Sequence, residues 1–345
     1  MNNHSSKLDD LYLESYELDT SELTPTYRSD LRTRPPDIFI DESNHDWSKL
    51  SWKDVGKPSP IENFCRGKRD WERKYGKKMS VPTQWQHFNR KVHELFTTDL
   101  FQKRAEVRKK YLINLLTLKV KQADQTLREA IRFNIWTHLH QKEDALWDPR
   151  GKRAVFEGLD VNRPNILLLG AGDGYDAMQL LAMYPGAHAV LVDYDNFADT
   201  DRFGKFPERY PFLGKDPKTG YWNVFTKDEF DIDFEVCDIE KLKFGREFDI
   251  VISAGLIEHY PDKYKPLAFH FHRQFLKPGG YAIMTSTRNQ FQLRMFYKLL
   301  GDVINYSYRE LMTAPQLALY AYKNSFQILR CGSIKAYNFV VARER

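Results

Sequence analysis

The sequence predicts an α/β fold: a mostly parallel sheet covered on both faces, ending in an antiparallel C-terminal hairpin and preceded by a helical extension. Three observations predict it. After Asn162, short apolar runs alternate with helical ones, the texture of strands that carry helices on both sides. The first run enters a glycine cluster and leaves it in a helical pattern, "ILLLGAGDGYDAMQLL" at 166–181, which reads as a strand–turn–helix junction. The last two runs, "FQILRCGS" and "AYNFVVAR", are joined by a very short link, so they pair antiparallel.

Taken in order, residues 1–80 form a polar arm. It is broken by prolines, as in "ELTPTYRSDLRTRPPDIFIDES" and "GKPSP", and Trp47 and Trp52 are its candidates for anchoring to the body. Residues 81–150 form a helical extension, or cap. From Thr83 to Asp148 there is neither Gly nor Pro, and Val107, Tyr111, Leu115, Leu118, Ala123, Leu127, Ile131, Ile135 and Leu139 recur at helical steps. That spacing predicts one apolar stripe and at least two long helices, with Arg108, Lys109, Lys119 and Arg128 facing elsewhere. Pro149 and Gly151 end the helical region. Residues 151–345 form the α/β domain, with strands in "NILLLG", "AHAVLVDYD", "IDFEVCD", "FDIVISAG" and "GGYAIMTS".

Composition narrows the functional classes. A hydrophobic fraction of 42% with 14% aromatics excludes a disordered chain. No apolar run approaches the ~20 residues of a membrane span, and the opening "MNNHSSKLDDLYLES" lacks the pattern of a secretory signal. Cys65, Cys237 and Cys331 are far apart, so neither a disulfide framework nor a zinc site is expected. His270 and His272, like His138 and His140, stand two apart on predicted helices; that spacing turns the rings to different sides, and no metal is expected. A cytoplasmic protein without a membrane partner is the resulting expectation. The net charge of +5 is uneven: from Arg66 to Arg132, 18 Lys/Arg stand against 7 Asp/Glu. Such a stretch is either a solvated helix face or a surface for phosphate.

The loop Gly170-Ala171-Gly172-Asp173-Gly174-Tyr175 holds backbone open to a ligand. A dinucleotide fingerprint places its last glycine where Tyr175 stands, and a phosphate-binding P-loop needs a GK[ST] that is absent. Asp193 ends the second strand, 19 residues beyond Gly174; the paired oxygens of a carboxylate there suit two ribose hydroxyls. Asp238 follows the third strand, placed for an adenine amino group. "FDIVISAGLIEHY" and "FLKPGGYAIM" follow.

With these features in register, residues 160–345 resemble the class I S-adenosylmethionine-dependent methyltransferases. "LLLGAGDG" is similar to the family's first motif, Asp193 to its ribose-binding acid and Asp238 to its adenine-binding acid. "FDIVISAGLIEHY" and "LKPGGYAIM" are similar to its fourth- and fifth-strand motifs. The resemblance implies a Rossmann-like seven-stranded sheet with S-adenosyl-L-methionine across the carboxyl ends of the strands. On this basis Gly170, Ala171, Gly172, Gly174, Asp193, Tyr194, Asp238, Ile239 and Ser253 are the expected cofactor-binding residues.

Methyl transfer from a sulfonium needs alignment of the acceptor, and a base only if the acceptor carries a proton. The segment after the fourth strand faces the methyl group and offers Glu258, His259, Tyr260 and Asp262. His259 is the general-base candidate, with Glu258 beside it on either a catalytic or a structural role. Between Asp193 and Asp238 lie 44 residues, more than one helix and two turns require; the insertion at 197–232 carries Tyr210, Phe212, Tyr221 and Trp222, which either wall an acceptor pocket with Tyr260 or pack on the sheet. A small-molecule acceptor is the leading expectation, because Ser253-Ala254-Gly255-Leu256 is not the [DN]PP[YF] of an adenine N-methylase and no Cys is near. The alternatives are an RNA or protein methyltransferase docking through 66–132, and an inactive binding module that keeps the fold.

Overall fold

Five parallel strands make the centre of the molecule: β3 (Asn165–Leu169), β4 (His188–Asp193), β7 (Asp231–Val236), β8 (Phe248–Ser253) and β9 (Leu276–Thr287). A computed structural model of the chain describes residues 38–41, 45–61, 66–96, 100–130, 155–206, 208, 212–215, 222–334 and 336–345. Cys65, His138, His140, Tyr210, Tyr221, the stripe positions beyond 130 and the helix end at Pro149 and Gly151 lie outside these residues, as does the side chain of Trp222.

The central strands are short and β-branched or leucine-rich because both faces are covered. Ile166, Leu167, Leu168 and Leu169 are all 0–1% exposed; each such side chain contributes ~1.5–3 kcal/mol by leaving water. Odd and even positions enter two different cores. Leu167, Leu169 and Val251 pack with α6 (Lys265–Phe275) and α8 (Ala314–Lys323), while Ile166, Leu168 and Ile252 pack with α5 (Tyr175–Met183). β11 (Phe326–Ile334) and β12 (Tyr337–Glu344) form the antiparallel hairpin, and β12 pairs antiparallel with β9.

The seven strands expected from the sequence are present in the order β11-β12-β9-β8-β3-β4-β7, and β1 (Ile38–Asp41) adds an eighth beside β11. The arm therefore contributes to the sheet. Trp47 is buried in the main core, and Trp52, in the one-turn helix α1 (Trp52–Val55), packs on Tyr320 with ring centres 4.3 Å apart and planes tilted by 51°. A two-residue strand, β2 (Ser59–Pro60), pairs with β10 (Glu310–Leu311).

The helical extension comprises α2 (Arg66–Tyr75), α3 (Val81–Phe96) and α4 (Leu100–Leu116), then a further helical stretch over 120–130. The stripe read from the sequence is only partly inward. Val107 and Ala123 are buried, but Leu115 is 51% and Leu118 84% exposed. The helix stops at 116, and Leu118 takes a positive φ of 55°, so the chain reverses there and the two halves of the stripe do not share one face. The last helix of the scaffold, α7 (Phe291–Ile304), lies against α2 and α3. Among the described residues, no helix is long and apolar enough to cross a membrane.

Candidate functional site

β3 delivers the chain into a loop with three left-handed glycines, Gly170 (φ +74°), Gly172 (φ +59°) and Gly174 (φ +79°). Only glycine adopts this conformation without steric cost. Gly174 is the N-cap of α5, and a Cβ there would stand 2.7 Å from Leu191 Cδ2. The loop amides are already used. Gly170 and Ala171 both donate to the Val192 carbonyl at 2.9 Å, Gly174 donates to Ala171, and Gly172 donates to Asp193 Oδ2 at 3.0 Å. Four of the five amides that could face a phosphate are therefore turned inward, so a phosphate cradle of the P-loop kind is not built here.

Asp193 is 9% exposed. Its Oδ1 accepts from the Asp195 amide at 3.2 Å, and each oxygen keeps a lone pair for a further donor. Burial raises its pKa, opposed by the Gly172 amide and the Arg202 guanidinium. Asp238 caps the 3-10 turn Ile239–Lys241 by accepting from the Glu240 amide at 3.1 Å. Tyr194, 40% exposed, and Ile239, each next in sequence to one of the two acids, line the same space.

All of these except Gly174, which packs against Leu191 and Phe203, line one cavity of about 730 Å³ at the carboxyl ends of the strands, the position at which open α/β sheets bind ligands. Six carboxylates line it (Asp173, Asp176, Asp193, Asp238, Glu240, Glu258) against two guanidinium groups, Arg202 and Arg309. Such a wall favours a cation over a phosphate. Helix α3 supplies Val81, Pro82, Trp85, Phe88 and Asn89, and α7 supplies Phe296 and Tyr297. Three contacts hold α3 over the opening: Arg202 Nη1 donates to Asn89 Oδ1 at 2.9 Å, Arg90 stands 3.5 Å from Asp195, and its guanidinium lies 5.1 Å from the Phe197 ring centre.

Other expected residues sit elsewhere. Ser253 is fully buried behind the cavity, its hydroxyl 2.9 Å from His272 Nε2. His272 Nδ1 must donate to the Ala268 carbonyl at 2.8 Å, so Nε2 accepts from the serine; burial takes this histidine down to about 4. His270, by contrast, is exposed, and no metal cluster occurs among the described residues. In the insertion, the hairpin of β5 (Phe212–Lys215) and β6 (Trp222–Phe225) packs on α5. A Cβ on Gly214 would lie 1.6 Å from the Ala182 carbonyl. Phe212 is buried among Tyr175, Phe206 and Phe230. Among the described residues of 197–232, Arg202, from a π-helical turn, Ala198–Phe203, lines the cavity.

After β8 the 3-10 turn Ile257–His259 carries the reactive candidates. Glu258 is fully buried and accepts from the Thr287 amide, from Thr287 Oγ1 at 2.6 Å and from Arg309. Burial pushes its pKa up, and the Arg309 charge opposes this. The carboxylate thus fixes the turn to β9 and to the segment before β10.

His259 lines the cavity with Nδ1 2.7 Å from the Tyr308 carbonyl and 3.0 Å from Ser307 Oγ. A carbonyl only accepts, so Nδ1 carries the proton and Nε2 carries the lone pair. Nε2 has no hydrogen-bond partner among the described residues; Glu258 Oε1 is 3.9 Å away. Burial first, then the Arg309 charge, hold its pKa well below 6.5, so the ring is neutral. Trp85 meets it edge-on at 4.6 Å. Tyr260, also in the wall, is pushed up to about 12 by burial and by Glu240 and Asp238. Asp262 sits outside the cavity lining, bonded to Lys57 at 2.6 Å and Tyr320 at 2.7 Å.

Arg202, Arg309 and the rings of α3 and α7 went unread in the sequence. Arg309 lies 51 residues from its partner Glu258, and no local pattern signals such a pair. Trp85 and Phe88 stand three apart on a helix, a spacing that shows a shared face but not what it covers.

Residues 213–284 match the model of a methyltransferase domain. Among solved structures, the chain is similar to a possible exported protein of Bordetella parapertussis (19% identity, 56% of this chain and 65% of that one, TM-score 0.42). It thus spans just under two thirds of that chain. It is also similar to the Burkholderia thailandensis 1,6-didemethyltoxoflavin-N1-methyltransferase with bound 1,6-didemethyltoxoflavin and S-adenosylhomocysteine (16%, 64% and 89%, TM-score 0.40). Human N-acetylserotonin methyltransferase in complex with SAM is a third (16%, 79% and 74%, TM-score 0.42). No curated protein sequence matches significantly. The bare glycine turn, the acidic wall and the absence of a phosphate cradle fit S-adenosylmethionine, a sulfonium cation. The matched segment, 213–284, is similar to a methyltransferase domain, and it lies in a sheet whose strand order puts the cavity at the carboxyl ends of the parallel strands.

Proposed function

We propose that the protein methylates a small, flat, largely apolar acceptor whose attacking O, N or C atom gives up a proton to His259. S-adenosylmethionine supplies the activated methyl group. Asp193 would hold the ribose and Asp238 the adenine. The observation that carries the reading is His259: a neutral ring in the cavity wall, its Nδ1 proton committed to a carbonyl and its Nε2 lone pair unclaimed. A base that is unprotonated before reaction can take a proton as the acceptor–methyl bond forms. Trp85, Phe88, Tyr260, Phe296 and Tyr297 give the neighbouring space aromatic walls, which suit a planar molecule. Glu258 acts through Arg309 and Thr287 to position the turn.

A cavity of this size, roofed by α3 and α7, supports a small acceptor over an RNA or a protein chain. The basic side chains Arg108, Lys109, Lys119 and Arg128 are exposed, and none lines the cavity. The test is a screen of metabolite pools, RNA and protein for label from methyl-labelled S-adenosylmethionine, with H259N as control. Label in a small molecule that falls ~10²–10⁴-fold in the variant is the expected result. Label in RNA or protein alone overturns the reading.

A further inference from the structure

One turn of the helical extension carries an apolar tip into water. α4 stops at Leu116, the chain reverses at Leu118, and the helical stretch over 120–130 runs back beside it. The Asn114 side chain ties the two together, reaching the Gln122 carbonyl and Thr126 Oγ1, each at 3.4 Å. Val107, Ala123 and Thr126 are buried. The reversal itself is not. Leu112, Ile113, Leu115, Leu116, Leu118 and Val120 are 49–84% exposed, and every residue from 115 to 122 is exposed. None of them lines the cavity.

Single apolar residues are ordinary on a protein surface, but six within the nine residues 112–120 mark an interaction site. Charge selects the partner. From 108 to 121 stand Arg108, Lys109, Lys110, Lys119 and Lys121, all exposed, and no acidic residue. The first acid of the returning helix, Asp124, is held by Arg128 at 3.0 Å. In a symmetric contact between two copies this positive excess would meet itself. A folded partner covers one face of a helix, whereas Ile113 and Leu115, two residues apart, stand on nearly opposite sides of α4. RNA stacks its bases on aromatic rings, and residues 112–121 contain none. An anionic bilayer meets every condition. It receives apolar side chains from all sides of an inserted tip, while long basic side chains bury their stems and keep their charges at the headgroups. We propose that the hairpin tip at 112–120 is a docking site for an anionic lipid surface, with its leucines in the interface and the five basic residues on the headgroups. The protein lies on the bilayer and does not span it.

Flotation of the full chain with lipid vesicles tests this. Vesicles of phosphatidylcholine and phosphatidylglycerol in equal parts should carry the protein upward, and vesicles of phosphatidylcholine alone should carry far less. L116S/L118S alters side chains that are 82% and 84% exposed; it should lower the partition coefficient ~10-fold or more, because two apolar groups no longer leave water. K119Q/K121Q should lower it about 25-fold, at about fivefold for each charge, and binding of the unaltered protein should weaken with added salt. Urea midpoints equal to that of the unaltered protein report that both variants are folded. Absence of binding to the mixed vesicles overturns the proposal. Binding that survives L116S/L118S also overturns it, since charge alone then accounts for adsorption. A dimer in sedimentation equilibrium that L116S/L118S dissociates assigns the tip to a second copy instead, and binding to RNA without binding to vesicles assigns the basic residues to nucleic acid; either result overturns the lipid reading.

Discussion

Replacing Arg309 with Met should destabilise the protein by about 3–5 kcal/mol at pH 8, because it leaves a buried carboxylate without its counter-charge. Glu258 has 1% of its side chain exposed and Arg309 10%. Thr287 would still donate through its amide and, at 2.6 Å, its hydroxyl, yet neither carries charge. Burial already raises the pKa of Glu258 above its unfolded value; without Arg309 it must rise further. A raised carboxyl means that the folded state binds a proton that the unfolded state has released. Stability is therefore full below the unfolded value near 4.5 and declines as pH rises through the folded value. The deficit of R309M should accordingly be small at pH 5 and grow toward pH 8. The double variant E258Q/R309M removes the stranded charge and should recover more than half of the loss at pH 8. Urea unfolding at both pH values measures all of this. A deficit that is flat with pH, or a double variant as unstable as R309M, would refute the claim that an ion pair holds the turn.

Three further outcomes follow from the same geometry. The acceptor-saturated rate should hold as pH falls through 6.5 and decline only well below it, since burial and Arg309 keep His259 neutral; a decline centred at 6.5 or above argues against His259 as the base. D193A should cost ~10- to 100-fold in affinity for S-adenosylhomocysteine and for 5′-methylthioadenosine alike, because both carry the ribose; calorimetry showing an unchanged value for either removes Asp193 from the ribose. G174A forces φ +79° on an alanine and sets a Cβ 2.7 Å from Leu191; left-handed backbone at ~1–2 kcal/mol and overpacking at ~1–3 kcal/mol give an expected loss of about 2–5 kcal/mol by denaturant unfolding.

Much of this molecule is written locally. The glycine loop, Asp193 and Asp238 each stand at or just beyond the end of a strand, and strands are legible because apolar runs of five or six residues, cut by Gly or Asp, have few other uses in water. The hairpin of β11 and β12 was legible for the same reason. β1 was not. Its four residues, "IFID", sit in a polar, proline-rich arm, and whether so short a run pairs depends on a free edge being within reach. The apolar stripe through 107–127 was legible as helical but misread as continuous, because the reversal at Leu118 needs neither Gly nor Pro.

The sequence by itself determined the strand set, the bare turn and the two acids, since each is a property of neighbouring residues and of chain period. Only the tertiary structure decided which groups meet across long separations. Arg309 finds Glu258 over 51 residues, Arg202 finds Asn89 over 113, and the Tyr308 carbonyl chooses the tautomer of His259 over 49. These pairings are set by how α3, α7 and the sheet pack together. Packing is the summed effect of many weak, non-directional contacts, and no single stretch of the chain encodes that sum.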